Sequence, residues 1–157
     1  MTAKPGNVSV RRATPLDAKA IAACVQSAYE HYVERIGQPP GPMLENYDHV
    51  VKEREVYVAE LDGAIVGILV LRETAEGFLL DNVAVNPQHQ GEGIGSTLLE
   101  LAESRAKSAG FASIYLYTHE KMTENLARYA RIGYLEYDRR TERGLTRVFM
   151  RKRLSTD

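Results

Sequence analysis

The segment Gln90-Gly91-Glu92-Gly93-Ile94-Gly95-Ser96 sets glycine at alternate positions, just after the extended run Val83-Ala84-Val85 and just before a helical one. A strand that turns through glycines into a helix leaves the first backbone N–H groups of that helix without intrahelical partners. With no Cβ in the way, such a backbone can approach an anion closely, and the helix N-terminus adds partial positive charge, so the chemistry suggested is phosphate binding. A tight strand-to-helix connection that binds nothing is the other reading open on the turn alone. Two phosphate motifs are excluded: the dinucleotide pattern G-x-G-x-x-G needs glycine where Ser96 stands, and a Walker loop needs a G-K-[ST] that is absent. His31, His49, His89 and His119 form no H-x-x-x-H pattern, and Cys24 is the sole cysteine, so we expect no metal. Cys24 lies on an apolar helical stripe and reads as a small buried hydrophobe.

The elements that must position this turn follow from periodicity. Thr14-Pro15-Leu16-Asp17 reads as a helix start, with Thr14 as N-cap and Asp17 reaching back as in a capping box; Ile21, Val25, Ala28, Tyr29 and Tyr32 then recur at helical spacing. The run from Gly37 to Pro42 holds three prolines and two glycines and reads as a rigid loop, followed by a shorter helix over Met43–Lys52. Strands are predicted at Val56–Leu61 and Ala64–Arg72, joined by the hairpin turn Asp62-Gly63, then after a polar turn over Glu73–Glu76 at Phe78–Val85. A helix from Ile94 ends near Gly110, Ser113–Thr118 is a short strand, Thr123–Arg131 a short helix stopped by Gly133, and Tyr134–Arg140 with Arg147–Arg153 closes the chain as a hairpin around Gly144. The order β-αα-βββ-α-β-α-ββ gives an α+β fold with a mixed, mostly antiparallel sheet of about 6–7 strands flanked by about 4 helices.

Composition narrows the classes of function. The chain has 157 residues, 20 basic against 21 acidic side chains and a net charge of −1. A length of this order supports one core, burying roughly 68–70% of the unfolded surface, so we expect a single domain over 1–157. No stretch reaches the ~20 apolar residues that cross a bilayer, the charge balance argues against a general nucleic-acid binder, and one unpaired cysteine with no leader-like opening points to a cytoplasmic setting.

Taken with the strand before it, Gln90-x-x-Gly93-x-Gly95 resembles the [RQ]-x-x-G-x-[GA] signature of the GNAT superfamily of N-acetyltransferases. The element order over about residues 8–153 is also that family's, and Asn125-x-x-x-Tyr129-x-x-x-Gly133-Tyr134 resembles its late Y-x-x-x-G-[FY] segment. The resemblance implies acetyl-CoA as co-substrate, with its pyrophosphate on the backbone amides of Gly91, Gly93, Ile94, Gly95 and Ser96 beside Gln90. It places the pantetheine arm along the exposed backbone of Val83, Ala84 and Val85 like an added strand, and so predicts that Phe78–Val85 and Ser113–Thr118 diverge.

The reaction implied is direct attack of a primary amine on the thioester. An alkyl ammonium with a pKa near ~10 must first lose a proton, the developing oxyanion needs a donor, and the leaving thiolate gains from a proton. A backbone N–H of Val83–Val85 is the donor the resemblance suggests, and Tyr129 aligns with the family's tyrosine as the acid. Leu126, Tyr129 and Ala130 share a helical face, so a core role for the ring is the competing explanation. Asp81 lies on the same strand face as Val83 and is the candidate base, with simple pairing to a neighbouring Arg or Lys as its alternative. Asn125 is a candidate for the pantetheine or adenosine end, although the family more often carries asparagine seven residues before the tyrosine, where Met122 stands.

The acceptor-side segments, roughly Tyr29–Pro42, Tyr117–Met122 and Tyr137–Arg147, mix Glu30, Glu34, Asp138 and Glu142 with His31, Arg35, Lys121, Arg139, Arg140 and Arg143. Their charge leaves small-molecule amines and protein amines both open as partners. A non-catalytic acyl-CoA-binding regulatory domain is the alternative function, and a homodimer is compatible with the chain without any surface being fixed.

Overall fold

The computed structural model describes residues 8–155. Its strands are β1 (Val8–Arg12), β2 (Glu55–Leu61), β3 (Ala64–Thr74), β4 (Gly77–Val85), β5 (Ser113–His119), β6 (Leu135–Glu142) and β7 (Leu145–Arg153); its helices are α1 (Ala18–Ile36), α2 (Tyr47–Glu53), α3 (Ile94–Ser108) and α4 (Thr123–Arg131). The strands form one sheet in the order β1-β2-β3-β4-β5-β7-β6. This is the α+β order expected from the sequence. The chain divides into two compact units, one holding the chain up to Leu71 with Asn82–Ala102, the other Arg72–Asp81 with the chain from Glu103 onward.

In the first unit, Thr14-Pro15-Leu16-Asp17 behaves as its residue types dictate. The Asp17 carboxylate accepts from the Thr14 N–H at 2.7 Å, while Pro15–Asp17 forms a 3-10 turn that hands over to α1 at Ala18. Arg11 on β1 donates to both oxygens of Asp17, at 2.8 and 2.9 Å, tying the first strand to the first helix. That fork holds the Asp17 carboxyl down at about 2. Ile21 and Val25 of α1, Val50 of α2, Val56 and Val58 of β2, Ile68 of β3 and Leu98 of α3 form the buried interior. Asp62 and Gly63 both take positive φ, +51° and +82°, which is the tight two-residue hairpin their types predict.

Local differences from the sequence reading have simple causes. The segment Met43–Lys52 is not one helix: Gly41–Leu44 forms a 3-10 turn, and α2 starts only at Tyr47, where the Asn46 side chain accepts from the His49 N–H. Proline fits the first turn of such a helix, so Pro42 is tolerated there. The polar turn expected over Glu73–Glu76 shrinks to two residues, because the Thr74 hydroxyl bonds the Tyr115 hydroxyl and also accepts from the Glu76 N–H, which keeps Thr74 in the strand.

In the second unit, β4 pairs parallel with β5 at Phe78↔Ile114 and Leu79↔Tyr115, the beginning of each strand. β5 pairs antiparallel with β7 along its length, from Ser113↔Arg153 to His119↔Arg147, and β7 pairs with β6. The β6–β7 turn is Arg143-Gly144, both at positive φ. One face of this unit carries Leu79, Tyr115, Tyr117 and Phe149 packed together.

Candidate active site

The glycine turn is built as an open cradle. After the 3-10 turn Pro87–His89, braced by the Asn86 side chain accepting from the Gln88 N–H at 3.0 Å, the chain passes through Gly91 at φ +83° and Gly93 at φ +89°. A Cβ built on either glycine would meet nothing within 4 Å, so the backbone there is bare and approachable. The Thr97 N–H and hydroxyl both donate to the Gly93 carbonyl, at 3.1 and 3.0 Å, which fixes Gly93 at the cap of α3. Helix geometry then leaves the N–H groups of Gly93, Ile94, Gly95 and Ser96 without intrahelical partners. Ile94 is buried and anchors this end, while the Gln90 side chain donates to the Val85 carbonyl at 3.4 Å.

The strand leading into the cradle is locked from within its own unit. Asn82, buried on β4, accepts from the Tyr29 hydroxyl of α1 at 2.7 Å and donates to the Tyr47 hydroxyl of α2 at 3.3 Å. The Tyr29 hydroxyl also lies 3.2 Å from the Val83 carbonyl, and Tyr47 donates to the Pro42 carbonyl at 2.6 Å. Burial alternates from Asp81 to Val85, with Asn82 and Ala84 inward and Val83 and Val85 half-buried, so the valines lie on the face opposite Asn82. Cys24, also in this unit, is buried, and burial pushes its thiol up to about 11, so it stays protonated and inert at neutral pH.

The second unit holds the titratable candidates. Asp81 is mostly buried and stands 3.7 Å from the Arg72 guanidinium, the neighbouring pairing that the sequence reading set beside a catalytic role. Burial, with the Asp81 charge second, raises the Tyr117 hydroxyl above the ordinary phenol range. His119 accepts from the Lys121 N–H on Nδ1 at 3.0 Å, and burial lowers its pKa, so it is neutral at pH 7. On α4, Tyr129 is buried and meets Tyr134 edge-on at 5.7 Å between ring centres. Tyr134 is fully buried, its hydroxyl has no hydrogen-bond partner among the described residues, and desolvation drives its pKa far upward. Among the described residues the Asn125 side chain reaches the Met122 sulfur, at 3.7 Å, and Met122 is itself buried.

The family model described as the Acetyltransferase (GNAT) family matches residues 21–134, most of the chain. The chain belongs to the GNAT acetyltransferase family. Solved GNAT structures share its fold. PaiA N-acetyltransferase from Thermoplasma acidophilum, in complex with coenzyme A, is 18% identical with a TM-score of 0.76 over 93% of this chain and 98% of that one. The ribosomal-protein alanine N-acetyltransferase from Escherichia coli is 19% identical with a TM-score of 0.75 over 96% of each chain. The IAA acetyltransferase from Bacillus cereus is 22% identical with a TM-score of 0.68 over 94% and 99%.

The bare turn at Gly91–Ser96 has the approachable N–H groups that an anion such as a diphosphate requires. Among the described residues no group of three or more His, Cys, Asp and Glu could hold a metal ion, and no helix is long and apolar enough to cross a membrane. Sequence reasoning about this GNAT enzyme missed Asn82 and Tyr29 as the lock on β4. The signal was present: an asparagine amid the apolar run from Phe78 to Val85 must find buried partners.

Proposed function

We propose that this GNAT enzyme acetylates a primary amine by direct attack on the thioester, with the cofactor held by the chain's backbone. The N–H groups of Gly91, Gly93, Ile94, Gly95 and Ser96 hold the diphosphate, Gln90 braces the turn, and Val83, Ala84 and Val85 offer extended backbone to the amide-bearing arm. Asn125 supports the far end of that arm. Acetyl-CoA supplies an activated acyl carbon and a thiol leaving group.

The residues of the chain manage the protons. Asp81 accepts one from the incoming ammonium and passes it to solvent. A backbone N–H of Val83–Val85 donates to the oxygen that gains charge as the N–C bond forms, an effect of ~3 kcal/mol in comparable sites. Tyr129 donates its hydroxyl proton to the departing sulfur as the C–S bond breaks, and its phenolate recovers a proton from the acylated nitrogen. The products are an N-acetyl amide, free CoA thiol and one proton released.

The observation that carries the reading is the open positive-φ turn at the N-terminus of α3, with the family match around it. Incubation with acetyl-CoA and a panel of primary amines, with free thiol measured, tests it. Thiol release with at least one amine is expected; stabilisation by CoA with no release from any amine points instead to an acyl-CoA-binding regulatory domain, and no stabilisation removes both.

A further inference from the structure

The charges around the second unit's aromatic face are not equivalent. Arg140 is saturated, donating to Glu76 at 2.6 and 3.1 Å and to Asp138 at 2.8 Å. Arg139 is held by Glu136 at 2.8 Å, and Arg151 donates to the Ser113 hydroxyl and the Glu76 carbonyl between the rings of Tyr115 and Tyr137. Arg147 differs. Its guanidinium lies over the Tyr117 ring, 5.4 Å from the centre, and its carboxylate partner is Glu142 at 3.3 Å, a side chain 76% exposed. Such a pair is weak in water, so the Arg147 fork keeps most of its capacity for a planar anion.

Strand alternation puts Tyr117, Arg147 and Phe149 on one face, through the pairs Tyr117↔Phe149 and His119↔Arg147. Asp81 stands two residues beyond Leu79, which pairs with Tyr115, and its charge is felt at Tyr117. The Tyr117 hydroxyl itself has no hydrogen-bond partner among the described residues, although the ring is packed against Phe149 at 5.1 Å. One face therefore carries a carboxylate, a hydroxyl with no protein partner among the described residues and a stacked guanidinium, with Arg72 beside the carboxylate.

We infer that the acceptor is an amine that also bears a carboxylate, its nitrogen end at Asp81 and the Tyr117 hydroxyl and its carboxylate on Arg147. This rests on the proposed function and names its substrate class. The same arrangement disfavours polyamines, whose additional ammonium groups would meet Arg72 and Arg147 with no second mostly buried carboxylate on this face among the described residues. Of the acceptors left open by charge composition, it selects amino acids and their derivatives with a free acid.

The test uses N-acetylated amino acids, as free acids and as carboxamides, titrated calorimetrically into the CoA-saturated protein, so that binding is read without turnover. At least one free acid should bind about 10- to 100-fold more tightly than its carboxamide, the scale of a charge-assisted hydrogen bond. Arg147→Gln should erase that preference, and Arg147→Lys should retain part of it, with CoA affinity and the unfolding midpoint unchanged in both. The kinetic counterpart is a higher kcat/KM for a free amino acid than for its amide or for spermidine. Equal binding of acid and amide, survival of the preference in Arg147→Gln, or faster turnover of spermidine overturns the inference. Failure of the proposed function itself is seen separately, as absence of CoA binding in the preliminary titration.

Discussion

Gly67 of β3 lies directly against Ile94, the first residue of α3: a Cβ built on Gly67 would stand 3.0 Å from Ile94 Cγ2 and 3.2 Å from Leu98 Cδ1. The missing side chain lets the start of α3 settle on the sheet, and the amides proposed to grip the diphosphate belong to that same turn of helix. Gly67→Val should therefore act at a distance. Overpacking of this kind costs about 1–3 kcal/mol of stability, and lifting Ile94 should weaken CoA binding several-fold, read by calorimetry alongside thermal unfolding. Unchanged CoA affinity in a destabilised variant would mean that the helix start tolerates the shift.

Gly93 tests the cradle directly. At φ +89° with open space around it, a methyl group meets no neighbour but must adopt a strained backbone, at about 1–2 kcal/mol. Gly93→Ala should lose about tenfold in CoA affinity with little change in kcat at saturating acetyl-CoA. Retained affinity would remove this residue from the binding turn.

Tyr129→Phe separates acid catalysis from packing. The ring stays to meet Tyr134, so stability and CoA affinity should hold, while kcat falls by about 10²-fold, within the range for a lost general acid. A rate equal to wild type assigns Tyr129 to the core.

Asn82 joins two helices to β4 through the hydroxyls of Tyr29 and Tyr47. Asn82→Ala removes a buried partner from each and should cost about 1–3 kcal/mol in unfolding free energy. Denaturant titration checks this, and a cost near zero would show that the Val83 and Pro42 carbonyls suffice as partners.

Asp17 gives a pH signature. Its carboxyl falls from an ordinary 3.8 to about 2 in the folded chain, chiefly through the hydrogen bonds from Arg11. A depressed folded pKa contributes stability that is fully present above pH 3.8 and is lost as the pH falls toward 2. Asp17→Asn should be less stable than wild type at pH 7, and the gap should narrow across that acid window. A constant gap from pH 7 to pH 2 would contradict the ion-pair account.

Much of this architecture was legible in the residues. Thr14-Pro15-Leu16-Asp17, Asp62-Gly63 and the α4 span Thr123–Arg131 are set by local chemistry, and each forms where local chemistry puts it. The glycine turn was legible for the same reason, since positive φ is a property of single residues. What stayed hidden depends on partners distant in sequence. Arg11 finds Glu60, Thr74 is kept in its strand by Tyr115, and Asn82 is satisfied by Tyr29 and Tyr47. Nor could the sequence rank the acceptor-side charges, because whether an arginine is saturated, like Arg140, or stacked with capacity to spare, like Arg147, depends on which strands become neighbours.

The protein's one cysteine carries a practical corollary. Walled off on α1 and holding its proton to about pH 11, Cys24 contributes almost no background to disulfide reagents while the fold is intact. Colour developed in a coupled assay then counts turnover alone, and a slow rise in blanks lacking amine reports the fraction of molecules that have opened.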